Sequence, residues 1–360
     1  MLQSAAILLL LLVGDTDFGT SAAERIRLLK HRDPDVRAQA AMFLAYGPKD
    51  RVLAALLGAL RDPVATVRLQ AAMSLQLLED ERAVPFLARR LKEERSPRVL
   101  AALLGAVGAT GATYAGRSVE PFLDHPSRDV RGAAVLALGR VGDPGQRAAL
   151  WAALRYAPHD PGFHVRCAVL GAFVNLGWQD DARRALDELE EQGALRHWYA
   201  RAAMSSAVGI AGFKDRLDWV RRILEDSEDP RVIAAATEAL ARLGARDEVK
   251  ARVTHESPLV RRAALSALQE VGDDSAVPLA LERIRDDADP SVRFEAVLVL
   301  YRVRYPGVDV YLVDALKARN PIFWITALTA LERRHGRSFG RDPDAWAVWL
   351  KKRRPAGRKK

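Results

Sequence analysis

Apolar residues recur at steps of three and four along most of this chain, and the stretch 257–273 shows the pattern most clearly. Ser257 is a residue type that caps helices, Pro258 suits the first helical position, and Gly272 suits a left-handed C-cap. The stretch therefore predicts one amphipathic helix of about four turns. Its apolar stripe consists of Val260, Ala264, Ala267, Leu268 and Val271.

The same pattern returns along the chain, and successive copies lie 28 to 35 residues apart. A second helical pattern, such as residues 274–284, separates one copy from the next. Self-similarity at this period is typical of stacked arrays in which each helix pair buries its apolar face against its neighbours. The sequence therefore predicts an all-α fold. The position of Val260 is taken in the other copies by Val36, Val67, Val99, Val130, Val165, Ala200, Val232, Val292 and Phe323.

Two local motifs carry a resemblance to a known family. First helices contain an early proline followed by leucine, as at Pro85 and Pro278, and second helices follow a turn such as Asp33-Pro34-Asp35-Val36-Arg37. This combination resembles the HEAT-repeat family over nearly the whole chain. The resemblance implies a right-handed α-solenoid of about ten stacked helix pairs with terminal half-repeats.

No linker or change of composition interrupts the repeats, so we expect one solenoid over residues 21–336. Residues 337–352 predict a capping helix, and residues 353–360 predict a disordered basic tail. Residues 1–20 allow two interpretations. They align with residues of the fourth repeat as a half-repeat helix, and they also resemble a signal peptide. We expect a cytoplasmic protein, or an exported one if this segment is a leader.

The net charge of +9 is concentrated at one end of the chain. Seven basic and no acidic residues lie in 351–360, which leaves 48 basic and 46 acidic residues in the rest. A nearly neutral body argues against a basic groove for nucleic acid. Binding to nucleic acid or an anionic surface through the tail stays open as an alternative function.

Residues with catalytic or metal-binding chemistry are sparse. The chain has a single cysteine, Cys167, and seven scattered histidines, and no short motif unites a nucleophile with a base. We therefore expect no metal, no cofactor and no enzymatic activity. Bilin lyases have similar repeats, so a bilin-lyase-like enzyme stays open as an alternative.

The family resemblance implies a monomeric scaffold that binds another protein on its concave face, which second helices line. An arginine follows the motif position in most repeats, and we expect it to pair with an acidic residue of the neighbouring repeat. The repeats are least regular between residues 159 and 201, where aromatic residues either bind a partner or fill space. The candidate partner contacts are Arg131, Arg166, Trp198, Tyr199, Arg201 and Arg261.

Overall fold

The computed structural model describes residues 21–156, 160–302, 308–317, 319 and 321–353, and all regular structure in these ranges is helical. The chain divides into two compact units, one ending at Leu189 and the other beginning at Glu190. The segment 1–20 and most of the predicted tail lie outside the described residues. The single solenoid over 21–336 and the state of the two ends stay predictions.

The first unit is a two-layer stack of helix pairs. The second helices α2, α4, α6, α8 and α10 pack side by side in chain order, and the first helices α1, α3, α5, α7 and α9 flank them. Short 3₁₀ turns precede several first helices. The helices are α1 (Ala22–Leu28), α2 (Pro34–Leu44), α3 (Lys49–Ala59), α4 (Ala65–Leu78), α5 (Val84–Glu93), α6 (Pro97–Ala109), α7 (Gly116–Val119), α8 (Arg128–Val141), α9 (Arg147–Tyr156), α10 (His164–Asn175) and α11 (Gln179–Glu191), whose last two residues fall in the second unit.

The second unit repeats this arrangement. Its second helices α12, α14, α16, α18 and α20 pack side by side, and the short first helices α13, α15, α17 and α19 lie against them. The final helix α21 packs on α19. These helices are α12 (Trp198–Ala211), α13 (Leu217–Glu225), α14 (Pro230–Leu243), α15 (Arg246–Ala251), α16 (Pro258–Glu270), α17 (Ala276–Asp286), α18 (Pro290–Arg302), α19 (Val308–Ala315), α20 (Pro321–His335) and α21 (Pro343–Arg353).

The predicted all-α fold and its period are confirmed. Each of the ten motif positions falls in a second helix, and the motif residues from Val67 to Val292 are all buried. Helix α21 begins inside the predicted capping segment and ends one residue beyond it, and its Trp346 is fully buried and packs edge-on against Phe339 and Trp349.

The predicted cap of α16 differs in its chemistry. Ser257 is the N-cap residue, but its hydroxyl makes no capping hydrogen bond. Instead, Nδ1 of His255 accepts the N–H of Ser257 at 3.0 Å. The guanidinium of Arg261 donates to the carbonyl oxygens of His255 and Glu256, both at 2.8 Å, so a side chain from inside the helix fixes the turn. At the other end, Gly272 has the expected left-handed conformation, with φ 67°.

Neighbouring second helices approach so closely that some contacts tolerate only glycine. A Cβ atom added at Gly108 or Gly139 would lie 2.7 or 2.9 Å from the Cα of Ala137 or Ala172 on the next second helix. In the second unit, a Cβ at Gly209 would lie 2.6 Å from the Cα of Ala239. Because Cβ atoms do not approach a backbone so closely, glycine facing alanine sets the spacing of these helices.

Three of the motif arginines, Arg37, Arg68 and Arg261, pair with an acid of the next repeat, as the sequence predicts. Nε and Nη2 of Arg37 donate to the carboxylate of Asp62 at 2.7 and 3.0 Å, and Arg261 holds Asp287 in the same way at 2.8 and 2.7 Å. The remaining nitrogen, Nη1, donates to two carbonyl oxygens of the arginine's own turn. Each guanidinium therefore joins two consecutive turns of the stack.

Glu94, like Asp287, is an almost completely enclosed acid of this series, with a side chain only 1% exposed. Its carboxylate accepts hydrogen bonds from Arg68, from Arg90 and from the backbone amides of Arg95 and Ser96. Burial alone would raise its pKa, but these donors outweigh burial and lower the pKa from 4.5 to about 2.

We predict that Gly139→Ala lowers the stability of the stack, by about 1–3 kcal/mol, because the new methyl group overlaps the backbone at Ala172. Gly132→Ala, on the same helix, is the control, since a Cβ there meets no atom within 4 Å. That change is expected to raise helix stability by up to about 1 kcal/mol. Urea unfolding followed by circular dichroism measures both. An equal change in unfolding free energy for the two variants would contradict the close approach of α8 and α10 at Gly139.

We also predict a loss of stability in acid that depends on Glu94. A carboxyl group whose folded-state pKa is lowered stabilises the fold above pH 4.5, and this contribution disappears as the pH falls toward about 2. The shift corresponds to about 3 kcal/mol. Glu94→Gln should lower the melting temperature at pH 7 and flatten its dependence between pH 4.5 and 2. The control Glu120→Gln, at an exposed position, should change neither the melting temperature nor its pH dependence. If the melting temperature of Glu94→Gln varied with pH as that of wild type does, Glu94 would not be the group responsible.

Candidate functional site

The second helices of the first unit share an exposed face that is almost free of charge. It is formed by the residues three, six and ten positions after the motif valine, and we call it the second-helix face. Since these helices pack side by side, equivalent positions lie next to one another along the unit. Arg140 is the only charged residue among them. The face comprises Gln39, Met42, Tyr46, Gln70, Met73, Leu77, Ala102, Gly105, Ala109, Ala133, Leu136, Arg140, Ala168, Gly171 and Asn175.

Large apolar side chains on this face are unusually exposed. Met42, Met73 and Leu136 occupy the same position in three repeats and are 40%, 47% and 55% exposed. Leu77 lies one turn further along α4 and Tyr46 lies in the turn after α2, and both are also exposed. Gly105 and Gly171 take the equivalent position on α6 and α10, so no side chain protrudes from the face there. Contiguous exposed apolar surface of this kind marks interaction sites.

Six of the fifteen corresponding positions in the second unit are charged, against one in the first; they are Glu238, Arg242, Glu270, Glu295, Arg302 and Arg333. Arg242 on α14 donates to Glu270 on α16 at 3.0 and 2.9 Å and lies 3.9 Å from Glu238 on its own helix. Glu295 on α18 lies 3.9 Å from Arg262. Burial raises the pKa of Glu238; Arg242 opposes this effect, while Glu270 and Glu295 add to it. Acids and bases therefore largely satisfy one another on this part of the surface.

Three of the predicted contact residues lie together at the start of α12. Trp198 is 39% exposed, and its ring meets the ring of Tyr199 edge-on at 5.9 Å. The guanidinium of Arg231 lies 3.3 Å from the centre of the Trp198 ring. Nη1 of Arg201 donates to the carbonyl oxygen of Asp226 at 3.2 Å. A partner contact through these residues stays a prediction, and their present contacts fit the space-filling alternative.

The other three predicted residues are engaged inside the repeats. Arg131 is 1% exposed and donates to the carbonyl oxygens of His125 and Pro126, so its side chain is not accessible to a partner in this structure. Arg261 joins two turns as described above. The guanidinium of Arg166 lies 5.0 Å from the centre of the Phe163 ring. A role in partner binding is untested for all three.

The side chains seen here offer little for covalent or metal chemistry. Burial, assisted by Asp160, raises the pKa of the Cys167 thiol to about 12, so the thiol stays protonated at neutral pH. Within the described ranges, no three His, Cys, Asp or Glu side chains converge as a metal site requires. The same ranges contain no helix long and apolar enough to cross a bilayer.

The second-helix face was missed in the sequence interpretation, although a signal for it exists. Positions six after the motif valine carry Met42, Met73 and Leu136 where an outward-facing polar residue would be expected. Reading each repeat at fixed offsets from the motif would have revealed them. The sequence interpretation predicted arginine and aromatic contacts instead, because these residue types are enriched at interfaces.

One curated relative with a known activity matches part of the chain. The phycocyanobilin lyase subunit alpha of Picosynechococcus sp. is 38% identical over 94 residues, which cover 23% of this chain and 35% of that protein. The match therefore spans about a third of the relative's length.

Solved structures give a broader likeness. A structure of the Kap95:Nup1 complex matches with a TM-score of 0.52 and 11% identity over 92% of this chain and 56% of that one, which supports the helical solenoid fold. The complex of CpcE and CpcF of phycocyanin lyase from Nostoc sp. matches with a TM-score of 0.35 and 18% identity over 79% of this chain and 88% of that one. The latter score is too low to indicate a common arrangement.

The expectation that this chain is not an enzyme is wrong as it stands, because a lyase subunit shares 38% identity with part of it. That expectation rested on the lack of a short catalytic motif. In a stack of helix pairs, however, neighbouring surface residues come from positions about 30 residues apart, and no short motif records them.

The family comparison agrees with the repeat structure. The family model for HEAT repeats matches residues 22–108 and 247–332, which lie in the first and second unit respectively. These ranges contain six of the ten motif positions, from Val36 to Val99 and from Val260 to Phe323. Both units of the chain therefore contain HEAT repeats.

Proposed function

We propose that this HEAT-repeat protein is a scaffold that binds a protein partner on the second-helix face of its first unit. The exposed apolar side chains of Met42 on α2, Met73 and Leu77 on α4, and Leu136 on α8 carry the proposal. The family resemblance supports this choice of surface, because it implies that second helices line the concave side.

The chemistry of this face fits an apolar partner surface. These leucine and methionine side chains are about half exposed, so covering each contributes about 1 kcal/mol, and four of them lie on this face. Methionine adapts its shape to different partners, and the alanines and glycines between the large side chains allow a partner backbone to approach closely. An amphipathic helix of the partner, with its apolar side chains one turn apart, would suit this surface.

We predict that the double variant Met73→Glu/Leu136→Glu loses the partner. Both side chains are exposed, so charges there leave the fold intact, whereas burying them against an apolar partner is costly. The measurement is affinity purification from the source cell with quantitative mass spectrometry. A partner retained by wild type should fall at least about tenfold, as expected for a loss of over 1.4 kcal/mol.

The matched control is Tyr114→Glu, which places a charge on an exposed aromatic residue among the first helices of the same unit. This variant should retain the partner at the level of wild type. Circular dichroism confirms that all variants are folded. Retention by the double variant together with loss by the control would refute the proposed surface.

A second candidate function is that of a lyase-type subunit acting on phycocyanobilin, which the similarity to the curated lyase subunit favours. The repeat surface would then position the pigment or its acceptor protein. The similarity covers about a third of the relative, so lyase activity of this chain is a proposal.

Titration of purified chain with phycocyanobilin tests the second candidate. It predicts a saturable change in the visible absorbance of the pigment, and an unchanged spectrum would exclude pigment binding by the chain alone. Repeating the titration with the Met73→Glu/Leu136→Glu variant shows whether pigment and protein partner use the same face.

A further inference from the structure

A shallow groove lies between α3 and α5, in the layer of first helices of the first unit. Leu57, Leu60 and Arg61 line one side of it, and Phe86, Arg89 and Glu93 line the other. The residues from α5 recur at steps of three and four, so they form one stripe along that helix. The groove involves none of the residues of the second-helix face.

The floor of the groove is apolar and partly open to solvent. Phe86 is 52% exposed, although the large aliphatic residues of the same helix, such as Leu87, are buried. Leu57 is half-buried and Leu60 is buried beneath it. A single apolar side chain from a ligand would cover both Phe86 and Leu57.

One end of the groove carries an excess of positive charge. The guanidinium of Arg61 has no ion-pair partner among the residues that the structure describes, and the side chain of Arg89, 72% exposed, has only Glu93, with Nε and Oε1 at 3.0 Å. Arg90 also donates to Glu93, at 3.3 Å, but its stronger bond is to Glu94 at 2.8 Å. Glu93 is therefore the only acid that the groove itself offers to three arginines.

We propose that this groove binds an acidic peptide segment in which an apolar residue precedes carboxylates. The apolar side chain would lie on Phe86 and Leu57, and the carboxylates would accept hydrogen bonds from Arg61 and Arg89. Guanidinium groups bind carboxylates in a bidentate manner, which gives direction as well as attraction. The apolar floor favours a peptide over a nucleic-acid backbone, which has no side chain to cover it.

Fluorescence anisotropy with a labelled synthetic peptide, in which one leucine is followed by two glutamates, tests the proposal. Arg61→Glu should weaken binding at least about tenfold, because it replaces a charge-assisted hydrogen bond by repulsion. Arg51→Glu makes the same charge change at an exposed position of α3 outside the groove lining and should leave binding nearly unchanged.

A gain of affinity provides the complementary measurement. Glu93→Gln removes the groove's own carboxylate from Arg89 and Arg90, so the peptide should bind several-fold more tightly. The side chain of Glu93 is 43% exposed, and melting curves verify that this variant and Arg61→Glu remain folded. The Met73→Glu/Leu136→Glu variant should bind the peptide as wild type does, which separates this groove from the proposed partner face.

Three results would overturn the proposal. Equal weakening by Arg51→Glu and Arg61→Glu would show unspecific attraction between charges. Equal binding of a peptide with serine in place of leucine would show that the apolar floor takes no part. Displacement of the peptide by a short DNA duplex at equal phosphate and carboxylate concentration would assign the groove to nucleic acid.

Discussion

Close approach of neighbouring second helices is the contact on which the rest of this structure depends. At Gly108, Gly139 and Gly209 the next helix comes so near that a Cβ would overlap its backbone, and the facing residue is alanine each time. This spacing brings the apolar stripes of consecutive repeats together and excludes water from between them. A pair of short helices cannot bury enough apolar surface alone, so the stability of each repeat comes largely from its neighbours.

Charged contacts complete the same seam at the turns. Arg37 and Arg261 are largely buried, and each donates from two nitrogens to the acid of the next turn. The third nitrogen donates to carbonyl oxygens of the arginine's own turn. The planar fork of arginine suits this geometry, and the single ammonium of lysine does not reproduce it. Groups left without such donors would be costly to bury, which explains why Glu94 collects donors from three directions. The row of arginines that resembles a binding stripe in the sequence is thus mainly internal.

The helix pairs, their period and the pairing of motif arginines were predictable, because hydrophobic spacing records which side of a helix is buried. The capping of α16 was not, because the Ser257 hydroxyl accepts no helix amide, while Arg261 donates to carbonyl oxygens of the preceding turn. The division between Leu189 and Glu190 has no counterpart in composition. Surface function was least accessible: Met42 and Met73 lie on adjoining helices only because the repeats stack, Leu136 lies two helices further along the stack, and the sequence separates these residues by a repeat or more.

The fixed separation of the arginine contacts has a consequence for how such a chain can change in length. Arg37, Arg68 and Arg261 each reach an acid 25 or 26 residues further along, and never beyond the adjoining turn. Duplication or deletion of a complete helix pair therefore leaves every such contact closed. A single added residue within a second helix would instead rotate all that follows it by about 100° and turn glycine away from alanine. This architecture can therefore gain or lose complete helix pairs, but it does not tolerate the insertion of part of a helix pair.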